Sequence, residues 1–92
     1  MSSWTFLSHH AQVFLCVARD PDVRLREIAA QVEITERAVQ AIVNDLVSEG
    51  YLDRTRVGRR NHYAVHADAP MRHRLQRDLD AGTLLRLMGL KR

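Results

Sequence analysis

Arginine side chains are concentrated in one short stretch of this 92-residue chain. Within seven residues and with no acid between them lie Arg54, Arg56, Arg59 and Arg60. A guanidinium group keeps its charge at physiological pH and forms paired hydrogen bonds with phosphate or with the edge of guanine. This spacing predicts a surface that binds a polyanion; the alternative is a solvated charge run that keeps an edge strand soluble.

The histidines and the single cysteine do not form a recognisable chemical set. Adjacent His9 and His10 would point about 100° apart on a helix. His62 and His66 share one strand face but are too far apart to bind one ion. Cys16 lies in an apolar run, so we expect a small buried side chain rather than a redox sensor, and no intrachain disulfide. This spacing of histidines around a lone cysteine predicts no metal site. Since the sequence has no nucleophile–base pair and no glycine-rich phosphate loop, we also expect no cofactor and no enzymatic activity.

Apolar periodicity predicts three helices before the arginine run. The first spans about residues 10–19 and ends before Pro21. The apolar stripes of the second and third are Leu25, Ile28, Ala29 and Val32, and then Val39, Ile42, Val43 and Leu46. Thr35 has the side chain of an N-cap for the third helix, and Gly50 is suited to its C-terminal end. These helices would turn their polar faces away from a shared core.

The arginine run itself is predicted to form a β-hairpin. Residues 51–57 and 62–67 alternate as strands, with Tyr63 and Val65 on one face. Residues 58–61 have turn chemistry, because Gly58 and Asn61 tolerate positive φ. Beyond the hairpin, the spacing of Met71, Leu75 and Leu79 predicts a helical stripe that residues 80–82 interrupt, followed by an apolar segment at 84–90.

Formal charge divides the chain where the hairpin begins. Residues 1–53 carry four arginines and eight acids, a net charge of −4, whereas residues 54–92 carry ten basic residues and three acids, a net charge of +7. A basic half on a small domain indicates an anionic partner, most simply nucleic acid or a membrane surface. No apolar run is long enough to cross a membrane, and the interrupted apolar start does not fit a secretion signal, so we expect a cytoplasmic protein.

Two helices, a short turn and a basic hairpin resemble the winged helix-turn-helix domain of bacterial transcriptional regulators, particularly the MarR-like and ArsR-like groups. The resemblance covers about residues 24–66 and depends on the apolar spacing, Ala29, Gly50-Tyr51-Leu52 and the basic hairpin. It implies a mainly α fold with a small β-hairpin and flanking N- and C-terminal helices. We expect one domain over residues 1–92, in which 1–19 and 70–92 are dimerisation or packing segments.

The resemblance also implies a function, that of a sequence-specific transcriptional regulator of double-stranded DNA, with repression as the expected effect. The third helix would enter the major groove, where Arg37 can bind guanine or phosphate and Gln40 and Asn44 can pair with adenine. The hairpin would follow the phosphates and place its tip in the minor groove. The expected DNA-binding residues are Thr35, Arg37, Gln40, Asn44, Arg54, Arg56, Arg59, Arg60 and Asn61.

Two features leave other interpretations open. The third helix carries Glu36, Asp45 and Glu49 but only one arginine, so it cannot attract DNA strongly by itself. The hairpin, with further help from the arginines at 72, 74 and 77, would have to supply the attraction. A winged helix that binds another protein would tolerate the same acids. The apolar chain ends favour a homodimer, because two-fold symmetry suits paired half-sites, although the tail could instead fold onto its own core.

Overall fold

A computed structural model describes residues 4–90 of the chain. The elements, in chain order, are α1 (His9–Arg19), α2 (Leu25–Val32), α3 (Glu36–Ser48), β1 (Leu52–Val57), β2 (Arg60–Val65), a 3₁₀ turn (Arg74–Gln76) and α4 (Ala81–Leu87). The two strands pair antiparallel, with Leu52 opposite Val65 and Val57 opposite Arg60. The predicted fold class is confirmed: helices dominate, and one two-stranded hairpin follows the third of them.

Helix α1 lies at the centre of the core. Its N-terminus is capped by Ser8, whose hydroxyl accepts a hydrogen bond from the Ala11 amide at 3.1 Å. All six residues from 13 to 18 are buried, because α2, α3 and β2 pack around this helix. The apolar spacing in the sequence predicts a narrower stripe, formed by Ala11, Phe14, Leu15 and Ala18. The buried surface is wider because a helix covered on several sides shows less amphipathic contrast than a surface helix.

A tight turn joins α2 to α3. Glu33 adopts the left-handed conformation, with φ of 64°, and the amides of Glu33 and Ile34 both donate to the Ala29 carbonyl. Thr35 then caps α3 as predicted, since its hydroxyl accepts from the Ala38 amide at 3.0 Å. The predicted stripe of α3 is buried throughout: Val39, Ile42, Val43 and Leu46. The opposite side of α3 is therefore directed to solvent.

The hairpin turn is shorter than the sequence predicted. Strand β2 begins at Arg60, so the turn consists of Gly58 and Arg59 alone. Gly58 has φ of 62°, and glycine is favoured at the first position of such two-residue turns because its backbone matches the strand twist. Asn61 pairs with Arg56 in the ladder and does not have positive φ. The predicted four-residue loop was wrong. Both faces of the strands are polar near the turn, so the alternation of apolar and polar residues could not show where each strand ends.

The C-terminal segment departs most from the prediction. Leu75 is 76% exposed and Leu79 is 47% exposed, so the predicted helical stripe of Met71, Leu75 and Leu79 does not form. Residues 70–80 instead make a loop closed by a bridge between Pro70 and Asp80. The Tyr51 hydroxyl donates to the Pro70 carbonyl and fastens this loop to the end of α3. The i+4 spacing was misleading, because it rests on only three apolar residues and the tertiary hydrogen bonds of this segment favour a loop over a helix.

Residues 80–82 start α4 rather than interrupt a helix. The Asp80 carboxylate accepts from the Thr83 amide at 3.0 Å and caps α4. Gly82 lies so close to Ala67 that an added Cβ would approach the Ala67 carbonyl oxygen to 3.0 Å. Leu85 is fully buried in the core that α1 and α3 share. Within residues 4–90, no helix is both long and apolar enough to cross a bilayer.

Candidate nucleic-acid interface

The solvent-directed side of α3 carries polar side chains suited to base recognition. Arg37 and Asn44 are exposed and Gln40 is half-buried. The 13 residues of α3 form a rod about 20 Å long, and a helix of that width fits the major groove of duplex DNA. The structure thus brings the three predicted reading residues of α3 to one accessible side.

Of the three acids expected on the third helix, two lie on a different side: Asp45 within α3, and Glu49, which the structure places at the C-cap just after it. His10 Nε2 lies 2.9 Å from Asp45 Oδ2, and Arg72 Nε lies 3.7 Å from Glu49 Oε1. Both acids line a cavity of about 290 Å³ between α1, α3 and the C-terminal segment. We call the solvent-directed side of α3 that carries Arg37, Gln40 and Asn44 the reading side. Because Asp45 and Glu49 lie away from it, a phosphate backbone at the reading side would meet less repulsion than the number of acids in the sequence suggests.

The third acid, Glu36, lies beside a group of arginines. It lines a cleft of about 260 Å³ between the start of α2 and the hairpin, together with Asp22. The same cleft is lined by Arg24, Arg26, Arg59 and Arg60. Positive charge exceeds negative charge there, which is what a phosphate-binding surface requires. Arg24 and Arg26 were not among the binding residues expected from the sequence, although both stand at the predicted start of the second helix.

The four hairpin arginines are all exposed but differ in their partners. Arg54 Nη1 donates to Asn44 Oδ1 at 2.9 Å and so lies against α3. Arg56 Nε donates to the Gly58 carbonyl at 3.2 Å. Arg60 reaches the loop before α2 through a bond to a backbone carbonyl at 2.9 Å. The stretch of arginines is therefore not one uniform surface.

Arg59 occupies the turn itself and is exposed. Between residues 4 and 90, the structure gives its side chain no hydrogen bond and no ion pair. Asn61, two residues further along in β2, is half-buried. An unpaired guanidinium at a hairpin tip can enter a groove or bind a phosphate without first breaking an internal contact.

The hairpin is attached to the helical core by bonds that keep its position defined. The Tyr63 amide donates to the Pro21 carbonyl at 2.9 Å, and His62 Nδ1 lies 2.8 Å from Asp22 Oδ1. At the base of the strands, His66 Nε2 lies 2.9 Å from Asp53 Oδ2. The hydrogen bond that His66 donates to the Asp53 carboxylate, reinforced by the negative charge of Asp53, raises the pKa of His66.

Cys16 is buried, as the sequence predicted, and its thiol donates to Gln31 Oε1 at 3.3 Å. Burial raises the pKa of the thiol, which disfavours the reactive thiolate. In the described part of the chain, no group of three or more His, Cys, Asp or Glu side chains is arranged to hold a metal ion. The groups concentrated on the side of α3 and on the hairpin are guanidinium and amide groups, whose donors and acceptors are suited to anions and base edges.

Comparison with known proteins gives structural matches only. No family model matches the sequence, and no curated protein matches it. FabT of Streptococcus pneumoniae, solved in complex with DNA, superposes with a TM-score of 0.64 at 18% identity. The PcaV transcriptional regulator of Streptomyces coelicolor, solved in complex with its natural ligand, superposes with a TM-score of 0.61 at 21% identity.

Both alignments include 96% of this chain, which spans 56% of the length of FabT and 60% of that of PcaV. The shared arrangement of helices and hairpin shows that this chain has the fold of those two proteins.

Proposed function

We propose that this winged helix-turn-helix chain is a sequence-specific transcriptional regulator that binds double-stranded DNA, with repression as its expected effect. One observation carries the proposal: the reading side of α3 is separated from Asp45 and Glu49 and adjoins an arginine-rich hairpin. The two structural neighbours support it, since one is bound to DNA and the other is described as a transcriptional regulator. No enzymatic reaction is part of this function, and a regulator of bacterial chromosomal DNA would act in the cytoplasm.

Each part of the surface has a proposed role. Helix α3 enters the major groove, where Arg37 binds guanine and Gln40 binds adenine. Thr35 uses a lone pair for its cap, which leaves its O–H free to donate to a phosphate. The tip of the hairpin reaches phosphates or the minor groove. The proposed surface comprises Thr35, Arg37, Gln40, Asn44, Arg54, Arg56, Arg59, Arg60 and Asn61, extended by Arg24 and Arg26.

The alternative of a module that binds only proteins is less well supported. Its main argument was the acidic character of α3, and two of those acids have partners within the domain. A titration with mixed-sequence duplex at low salt separates the two functions. Salt-dependent binding supports the DNA proposal, and the absence of binding at low salt would contradict it.

Selection of bound duplexes from a random pool tests sequence specificity directly. We expect an enriched site, and we expect Gln40→Ala to relax the preference at one base pair by roughly 5- to 150-fold, the usual range for a lost bidentate contact. Gln76→Ala, on the exposed 3₁₀ turn, is the matched control and should leave the preference unchanged. An unchanged preference in Gln40→Ala would show that α3 is not the reading element.

A homodimer is the second part of the proposal. Phe6 is 94% exposed, Trp4 is 67% exposed and Leu87 is 78% exposed, and apolar side chains of this size at both chain ends favour burial against a second copy. A two-fold dimer would present its α3 helices to half-sites about 34–36 Å apart.

Sedimentation at micromolar concentration should show twice the 10.6 kDa mass of the chain. The double variant Phe6→Ser/Leu87→Ser should shift it to monomer. Val57→Ser, which changes an exposed apolar residue of the hairpin, should not. A wild-type protein that sediments only as a monomer would contradict the dimer.

A further inference from the structure

One side chain on α3 accepts hydrogen bonds from two different elements. Asn44 Oδ1 accepts from Gln40 Nε2 at 3.1 Å and from Arg54 Nη1 at 2.9 Å. Gln40 lies one turn earlier on α3, whereas Arg54 lies on β1 of the hairpin. Asn44 therefore joins a reading residue of the helix to an arginine of the hairpin.

The chemistry of Arg54 determines how the two amides are oriented. A guanidinium group has donors only, so the atom of Asn44 that faces it must be the carbonyl oxygen. Gln40 can approach that oxygen only with its NH₂ group. Its own carbonyl oxygen and one amide hydrogen then stay free, and this pair matches the donor N6 and acceptor N7 of adenine.

The same contacts leave Asn44 poorly suited to read a base itself. A paired contact with adenine requires the amide oxygen to accept from N6. Both lone pairs of Asn44 Oδ1 already have donors, from Gln40 and Arg54. A direct base contact would therefore break one of these internal bonds.

We propose that Asn44 is a positioning residue that holds Gln40 and Arg54 as one base-reading unit, in which Gln40 is directed at adenine and Arg54 at guanine. This inference rests on the proposed DNA-binding function. Both flexible side chains are ordered before DNA arrives, so less conformational entropy is lost on binding. Arg54 then contributes to sequence preference, whereas Arg59 at the tip contributes to binding of any sequence.

Two substitutions of Asn44 distinguish positioning from base contact. Asn44→Asp keeps the acceptor oxygen and removes the amide donors, while Asn44→Ala removes both. The measured quantity is the affinity ratio between the duplex selected by the wild-type protein and a scrambled duplex of equal composition. We expect Asn44→Asp to keep this ratio within about twofold, although its added charge weakens binding to both duplexes. Asn44→Ala should lower the ratio about tenfold, since two side chains lose their orientation.

Further variants make the test specific to the network. Arg54→Ala should lower the ratio as Asn44→Ala does, and the double variant should show little additional loss because both changes remove the same unit. Ser48→Ala, one turn further along the exposed side of α3, is the matched control and should keep the ratio. A ratio lost equally in Asn44→Asp and Asn44→Ala would show that Asn44 reads a base, and would overturn the inference.

A measurement without DNA keeps this inference separate from the proposed function. In ¹H–¹⁵N spectra, the side-chain signals of Gln40 and Arg54 should move in Asn44→Ala toward the positions of free side chains. They should keep their hydrogen-bonded character in Asn44→Asp and stay unchanged in Ser48→Ala. Unchanged signals in Asn44→Ala would refute the positioning role, whereas failure of the wild-type protein to bind any duplex would refute the proposed function.

Discussion

Replacing Arg59 and Arg60 together with alanine is expected to weaken binding to every duplex by about 10- to 100-fold near 0.1 M salt. Arg59 is exposed at the hairpin turn, and Arg60 lines the arginine-rich cleft beside α2. Each lost phosphate contact should reduce the slope of log affinity against log salt by about 0.9. The double variant should therefore have a slope shallower by close to two, with the sequence preference retained.

Fluorescence anisotropy with the selected duplex and with mixed-sequence duplex, at several salt concentrations, measures both quantities. The control is Arg74→Ala/Arg77→Ala, which removes the same charge from the exposed loop at residues 70–80. An equal loss of affinity in the control would mean that net charge, rather than the hairpin, drives binding. An unchanged salt slope in Arg59→Ala/Arg60→Ala would place the interface elsewhere on the molecule.

Leu85→Ala is expected to lower the free energy of unfolding by about 2–5 kcal/mol, because it leaves a cavity in a closely packed core. Leu85 is fully buried although it lies near the C-terminus, in the seven-residue helix α4. A domain of this size has a small total stability, so this loss could leave a large unfolded fraction at room temperature.

Denaturant unfolding followed by circular dichroism tests this expectation. Leu75→Ala is the matched control, because Leu75 is the same residue type at 76% exposure in the preceding loop. Its unfolding free energy should change by no more than about 0.5 kcal/mol. A loss below about 1 kcal/mol in Leu85→Ala would mean that α4 does not complete the core.

The local elements could be predicted because their signals are local. The apolar stripe of α3, the cap at Thr35 and the end of the helix near Gly50 depend on residues within one or two turns of each other. The presence of a basic hairpin followed from alternation and from Gly58. These features are decided by backbone geometry and burial periodicity, which a sequence records directly.

The C-terminal segment could not be predicted in the same way. The spacing of Met71, Leu75 and Leu79 by four residues indicated a helix. The bridge between Pro70 and Asp80 and the fit of Gly82 against Ala67 instead produced a closed loop and a separate short helix. Those contacts join residues whose approach depends on the packing of the whole domain. The length of the hairpin turn was missed for a related reason, since polar residues on both strand faces hide where pairing ends.

The sequence by itself determined the winged-helix order of elements and the position of the positive charge. The tertiary structure decided which charged residues lie near the proposed DNA-binding surface and which are paired elsewhere on the domain. Asp45 and Glu49 count as acids of the third helix in the sequence, yet they pair with His10 and Arg72 from distant segments. Asn44 and Arg54 are joined in the same way across two elements. Periodicity predicts which side of its own helix a residue lies on. Whether residues of two different elements come into contact depends on how those elements pack against each other, which the sequence does not show directly.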